Sequence, residues 1–509
     1  MMDSGGRTGG NGAGFLWFMV ALVLLVGHGL TFSFVIDDAF ISFRFAENLV
    51  DGHGLVFNSG EYVEGYSNLL WVLLSAFGLK LGMDPLLWAR ILGACAMAAV
   101  LAMAPGIVRL LAPRATEISA LPGRTAQLLL AAIGAGACWM LAGLETPLFT
   151  LWMVLAWRLA LLRNPFGAGI VGVLLVVTRP EGPALALIFT IWAMAPGGSG
   201  TPLHHLRRWL GLMILLGGVA VFFIWRHDLY GWWLPNTYYA KTGDLAGQIK
   251  TGLPYSLSFL LNYALSLAVI GGAAGMGGGF ATMKPRDTVF GAGLIIFWIT
   301  YSTVIGGDML GMFRFFVPIL PVMVIGTVAL AAEAGWLSRP QGAVIFTLVV
   351  GLALLPPTLW GKERRLVSIH MSEANLGGWI LAGDAMAEQL PRGTVIALGP
   401  AGYIPWKTGF KAYDFYGLVD PAIAHQEVAF THGYAGHEKH DGALVMKRRP
   451  DYILIGNVDI TDQPRTGLIP PLDREVDIVT NDFFQENYEQ IYLRVSGGKY
   501  LNLFRRKGL

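Results

Sequence analysis

The sequence predicts a mainly α-helical, polytopic membrane module followed by a small α/β domain outside the bilayer. Three observations predict it: a strongly apolar composition, a succession of apolar runs of spanning length, and an abrupt change of character after Trp360. Of 509 residues, 54% are hydrophobic and only 14% are charged, against the roughly 25% charge of soluble domains. Mean hydropathy is +0.55. The formal charge nearly cancels at +2, which gives no support to nucleic-acid binding or to membrane attachment through a basic patch. Cys95 and Cys138 both sit in apolar stretches, where cysteine behaves as a small buried hydrophobe, so no disulfide framework is expected.

The Gly-rich residues 1–14 are expected to be disordered and cytoplasmic. From there to residue 360, apolar runs fall near 15–36, 86–111, 126–143, 146–163, 167–178, 182–196, 209–229, 254–274, 288–305, 313–334 and 341–360, eleven in all. Runs 167–178 and 182–196 are short for full spans and require tilt or a few residues from their neighbours. The first run is too long for a signal-peptide core and lacks a small-residue cleavage site, so it should stay attached.

The apolar stretch Ser67 to Gly82 decides the topology. Laid along the interface, it leaves the inner loops with Arg7; with Arg109, Arg114 and Arg124; with Arg158 and Arg163; with Arg207 and Arg208; with Lys284 and Arg286; and with Arg339. The excess of basic residues on inner loops is then obeyed throughout; counted as a span, the stretch inverts the alternation. The N-terminus is therefore expected inside a cytoplasmic membrane and residues 361–509 outside. Within that tail, TVIAL (394–398), DYILIG (451–456) and YLRV with YLNLF (492–504) read as strands.

Under this topology the polar motifs gather on the outer side: DDAFISFRFAENLVDGHGLVFNSGEYVEGYSN (37–68), GLETP (143–147), TRPEG (178–182), LPNTYYAKTG (234–243) and GGDMLGMFRFFVP (306–318). Ionisable residues at membrane depth face cavities and are functional candidates by default. If the chain turns helical after the first span, Asp37, Arg44 and Asn48 fall within about 40° of one another on one stripe. Crowding and partial burial of the Asp37–Asp38 pair would raise the pKa of one acid, as a general base requires; the competing reading is helix capping. Arg314, near Asp308, and Lys241 are candidates to meet a phosphate, Arg314 through its bidentate fork. Glu145, Arg179 and Glu181 are candidates for substrate contact or for simple pairing with one another, and Asn236 lies in the same group of outer motifs. His425, His432, His437, Glu438 and His440 crowd together in the tail, but their spacing matches no closed zinc pattern. No dinucleotide fingerprint, P-loop or nucleophile elbow stands in a credible context, which argues against a nucleotide-sugar donor.

The string opening with the acidic pair, together with GLETP, RPEG, LPNTYYAK and GGDMLGMFRFFVPILP, resembles the C-type (GT-C) membrane glycosyltransferases. Within them it is similar to the branch of actinobacterial terminal arabinofuranosyltransferases that use decaprenyl-phosphate arabinofuranose. The tail strings YGLVDPAIAH (416–425), GHEK (436–439) and RRPDYIL (448–454) resemble extracytoplasmic segments of that branch. The resemblance implies a GT-C catalytic module over 15–360 with interfacial helices, and an inverting transfer from a polyprenyl-phosphate sugar. It implies Asp37 as the base and Asp38 as the neighbour that orients the acceptor or a divalent cation. No cofactor is certain. Arabinofuranose is the expected sugar, with mannose or another hexose as alternative, and the acceptor is a glycan, lipid or protein of the cell envelope. A transporter or flippase of lipid-linked saccharides is the rival class; such folds commonly carry internal repeats and bind near the midplane.

Overall fold

The computed structural model describes residues 8–195, 202–355, 359, 361–427 and 439–509. Helix formation follows the apolar runs. Five helices are long and apolar enough to cross a membrane: Gly12–Leu30, Pro85–Leu111, Arg208–Tyr230, Leu245–Thr282 and Pro285–Val304. Shorter apolar helices include Thr146–Leu161, Pro165–Thr178, Gly182–Met194, Leu320–Glu333 and Pro340–Leu354, and the chain is a multi-pass membrane protein. The first helix begins at Thr8, inside the Gly-rich segment expected to be disordered. The stretch Ser67 to Gly82 forms the helix Leu69–Lys80.

Two expected spans differ from simple helices. The run 126–143 is split into Leu121–Ala132 and Gly134–Met140, because Ile133 is extended at ψ 108° between them. The run 313–334 becomes α-helical only at Leu320, since Met312 and Phe313 adopt left-handed backbone and Arg314–Phe316 form a 3-10 turn.

The chain divides into two compact units. The first comprises Met1–Phe34, Ala89–Ala220 and Gly252–Leu366; the second comprises Val35–Trp88, Val221–Thr251 and Val367–Leu509. The first is helical, with Trp139, Trp157, Trp298, Phe149, Phe189 and Phe259 fully buried. Its helices approach closely where small residues allow: a Cβ on Gly169 would meet the Gly211 carbonyl oxygen at 2.0 Å.

The second unit carries a six-stranded mixed sheet: β1 (Val395–Leu398), β2 (Lys411–Asp414), β3 (Tyr452–Ile453), β4 (Asp459–Thr461), β5 (Tyr488–Arg494) and β6 (Tyr500–Arg506). The order is β2-β1-β3-β6-β4, with β5 also paired to β6. β1 runs parallel to β2 and β3, and β6 runs antiparallel to its neighbours. One face of the sheet shares a core with the helix Asp38–Val50, where Ile41, Phe45, Phe57 and Tyr66 pack with Ile396, Leu398, Ile404 and Leu503. The segment that opens after the first span thus folds as part of the sheet-bearing unit.

Candidate active site

Asp37 stands at the start of the helix Asp38–Val50, with helical backbone at φ −58° and ψ −39°, yet its side chain makes no capping bond to that helix. The carboxylate instead accepts the backbone N–H of Gly402 at 2.9 Å through one oxygen and that of Tyr403 at 2.8 Å through the other. Gly402 must be glycine, because a Cβ there would lie 2.2 Å from the Asp37 carbonyl oxygen and 2.4 Å from its carboxyl carbon. An ionised carboxylate offers about four lone-pair sites, so two amides leave room for a further donor. Asp37 is 7% exposed, and burial raises its pKa to about 7 against the pull of the two amides. The charge of Asp38 pushes the same way. The result is a carboxyl poised near neutrality, as proton abstraction requires.

Asp38 is the first residue of that helix and is half-buried. Its charge reaches His370, whose burial lowers the imidazole to about 4, so the ring is neutral at pH 7. Sequence reasoning missed His370, Gly402 and Tyr403, which come from distant stretches of chain. An aromatic wall surrounds them: Phe40 meets Tyr403 edge-on at 5.0 Å and Trp406 at 5.0 Å. Trp406 donates its indole N–H to Glu47 at 2.7 Å, and burial raises Glu47 to about 7.

Arg44 and Asn48 share the stripe with Asp37 but are occupied by backbone. The Arg44 guanidinium donates to the carbonyls of Phe57 (2.7 Å), Phe410 (2.6 Å) and Pro405, and lies 4.4 Å over the Phe57 ring. Asn48 donates to the carbonyls of Val56 (2.8 Å) and Phe57 (3.0 Å). Asn236 likewise donates to Gly417 and Leu418 at 2.7 and 3.0 Å. These three were expected to contact substrate; in the structure their donors shape the loop. Asn58 does the same at the edge of β2, exchanging both bonds with the Ala412 backbone. Glu64 and Arg226, also missed, form a buried pair at 2.7 Å. Lys241 ends the short helix Asn236–Lys241, and among the described residues its ammonium has no charged partner.

The remaining candidates belong to the helical unit. Glu145, Arg179 and Glu181 come together: Arg179 bonds Glu145 at 2.8 Å and Glu181 at 2.6 Å, all three buried, and the Tyr301 hydroxyl donates to Glu181 at 3.3 Å. Arg314 pairs with Asp308 at 2.7 Å. The Arg179 and Arg314 guanidinium carbons lie 5.5 and 5.1 Å from the Phe315 ring centre, so both cations flank one aromatic ring. In this unit Arg179 is thus fixed by two carboxylates and Arg314 by one. Among the described residues no cluster of three metal-ligating side chains occurs. Of the tail histidines, His432 and His437, with Glu438, lie outside the described residues. His425 stacks on Tyr239 at 4.1 Å and meets Trp232, tilted, at 3.9 Å, and His440 pairs with Asp477 at 3.1 Å.

Comparison with known proteins gives three results. Residues 368–504 match a family described as a domain of unknown function, DUF8728. The terminal beta-(1->2)-arabinofuranosyltransferase of Mycobacterium tuberculosis is 29% identical over 283 residues, 50% of this chain; the match spans only 42% of that protein's length. Among solved structures, ArnT from Cupriavidus metallidurans in the apo state superposes with a TM-score of 0.55 at 13% identity, covering 98% of each chain. The same protein bound to undecaprenyl phosphate gives a TM-score of 0.54 at 12% identity, covering 79% of this chain and 85% of that one. The chain has the GT-C fold.

Proposed function

We propose that this chain is an inverting membrane glycosyltransferase that moves a sugar from a polyprenyl-phosphate carrier to an acceptor hydroxyl at the outer face of a cytoplasmic membrane, with its N-terminus inside. The observation that carries the reading is Asp37, an acid just past the first apolar helix, fixed by the Gly402 and Tyr403 amides and raised by burial to about 7 against their pull. Asp37 takes the acceptor's hydroxyl proton. The acceptor oxygen forms a bond to the anomeric carbon, and the carbon–oxygen bond to phosphate breaks with its electron pair leaving on the phosphate. Attack opposite the departing group inverts configuration, and a base of this kind contributes about 10²–10⁴-fold.

The released charge needs fixed cations. Arg314 is assigned to the phosphate because Asp308 already holds one edge of its fork, with Lys241 as a second cation. Asp38 orients the acceptor and is the residue to which a divalent cation would bind. Glu145, Arg179 and Glu181 are assigned to the sugar side as one charge-paired group, whereas Arg44, Asn48 and Asn236 act by holding the loop that presents Asp37. Support for a lipid-linked donor comes from the fold shared with ArnT, which has been solved with undecaprenyl phosphate, and support for arabinofuranose from the mycobacterial relative.

The test incubates purified protein in detergent separately with polyprenyl-phosphate arabinofuranose, polyprenyl-phosphate mannose and the matching nucleotide sugars, together with glycan, lipid and protein acceptors. Mass spectrometry should find product from the arabinofuranose lipid. Product from the mannose lipid alone keeps the mechanism and replaces the sugar; binding of a lipid-linked saccharide without any product favours a carrier.

A further inference from the structure

Met312 and Phe313 are consecutive bulky residues at φ 61° and φ 47°. A bulky residue in left-handed backbone is disfavoured and persists only where surroundings over-determine it. Both are fully buried, and the residue that follows is Arg314. The Met312 N–H donates to the Glu363 carboxylate at 2.7 Å, and the Phe313 amide also favours that carboxylate. The Met312 carbonyl accepts the indole N–H of Trp139 at 3.1 Å. One residue beyond Arg314, the Phe315 N–H meets the Tyr255 hydroxyl at 3.3 Å, and its carbonyl accepts from Trp298.

Of these fastenings Glu363 is the only carboxylate. It begins the segment after the last apolar helix, outside the spans, and is 6% exposed. A buried acid is expensive where a neutral acceptor would serve, unless the bond it makes must be strong. Its carboxylate accepts the Met312 amide, which lies outside the neighbouring helices and has no intrahelical carbonyl to bond. Nothing in the transfer chemistry uses Glu363 directly.

We propose that Glu363 is a positioning residue for Arg314: by holding the Met312 amide of the left-handed pair Met312–Phe313, it fixes the turn that aims the Arg314 guanidinium at the donor phosphate. The inference rests on the assignment of Arg314 made above, and its test separates the two. In donor kinetics at saturating acceptor, Glu363→Ala should raise the KM for polyprenyl-phosphate sugar about tenfold with kcat changed by less than about twofold, the pattern of lost ground-state binding. Glu363→Gln, whose amide oxygen still accepts an N–H but without the charge, should raise KM by about threefold, between the parent and Glu363→Ala. Met312→Gly, which adopts positive φ at little cost, should recover most of the loss when added to Glu363→Ala. On an Arg314→Ala background, Glu363→Ala should add little, because coupled residues are non-additive.

Hydrogen exchange over residues 308–316 supplies a readout independent of turnover and should quicken in Glu363→Ala. Full additivity with Arg314→Ala, or quickened exchange without a change in donor KM, overturns the proposal. If Arg314→Ala itself leaves donor KM unchanged, the phosphate assignment fails, and the positioning role falls with it.

Discussion

Asp37→Asn separates the chemical role of the acid from its structural one. The two oxygens of Asp37 each accept a backbone N–H, from Gly402 and from Tyr403. Asparagine keeps the shape but offers a single oxygen, so one amide is satisfied and the other faces an NH2 group. Losing one hydrogen bond to a charged group costs about 1.5–3 kcal/mol. Removing a charge that burial already disfavours offsets part of that, so the protein should remain folded. The loss of a base, by contrast, removes about 10²–10⁴ in turnover, or roughly 3–5 kcal/mol of barrier. The assay is single-turnover transfer from a polyprenyl-phosphate sugar in detergent, with donor affinity and thermal denaturation recorded on the same preparation. Turnover should collapse while donor affinity and denaturation midpoint change little. Retention of more than about a tenth of the parent turnover would exclude a base of the usual size and refute the assignment.

Gly402→Ala should act on the same acid from the other side, because a Cβ would sit 2.4 Å from the Asp37 carboxyl carbon; turnover should fall at least as far as in Asp37→Asn, with a lower denaturation midpoint. Transfer should fall about tenfold per unit as pH drops below about 7, where Asp37 takes up its proton, and Glu47→Gln should leave that limb in place although Glu47 has a similar value. Stability carries the opposite sign: a raised carboxyl pKa means the fold binds the extra proton, so the Asp37 contribution grows as pH falls from about 7 toward its ordinary 3.8, visible as a higher midpoint in mildly acid buffer. Arg179→Ala leaves Glu145 and Glu181 buried without their cation and should cost about 3–5 kcal/mol, read as loss of folded protein on size exclusion, whereas Arg314→Lys should keep more donor affinity than Arg314→Ala. Reporter fusions should register the cytoplasm after Trp336 and the outside after Leu509; a cytoplasmic signal at Leu509 would invert every outer-loop assignment.

Apolar run length made most helices legible, because a helix in lipid must satisfy its backbone internally and its sequence says so residue by residue. The breaks were not legible. Ile133 is an ordinary apolar residue in its run, and the left-handed pair Met312–Phe313 is held by Glu363 and Trp139, partners that no local window contains. In the sheet, β1, β3, β5 and β6 were readable from apolar and aromatic alternation, whereas KAYD and DIT are too short and mixed to announce β2 and β4. At the site, the acidic pair stood out by position, one residue past an apolar span. What Asp37 binds did not, since Gly402 lies 365 residues away and nothing in GPAGYIP marks an amide pair for a carboxylate. The stripe of Arg44 and Asn48 could be drawn from helical spacing, which gives direction but no partner; that their donors go to the carbonyls of Phe57 and Phe410 could not be read from it.

The most direct test of the account is the anomeric configuration of the product formed by purified protein from a single polyprenyl-phosphate arabinofuranose anomer, read by NMR. Product of the opposite anomeric configuration is expected, with polyprenyl phosphate released in equal amount and neither formed by Asp37→Asn. Retained configuration, or product from the nucleotide sugar alone, would contradict it.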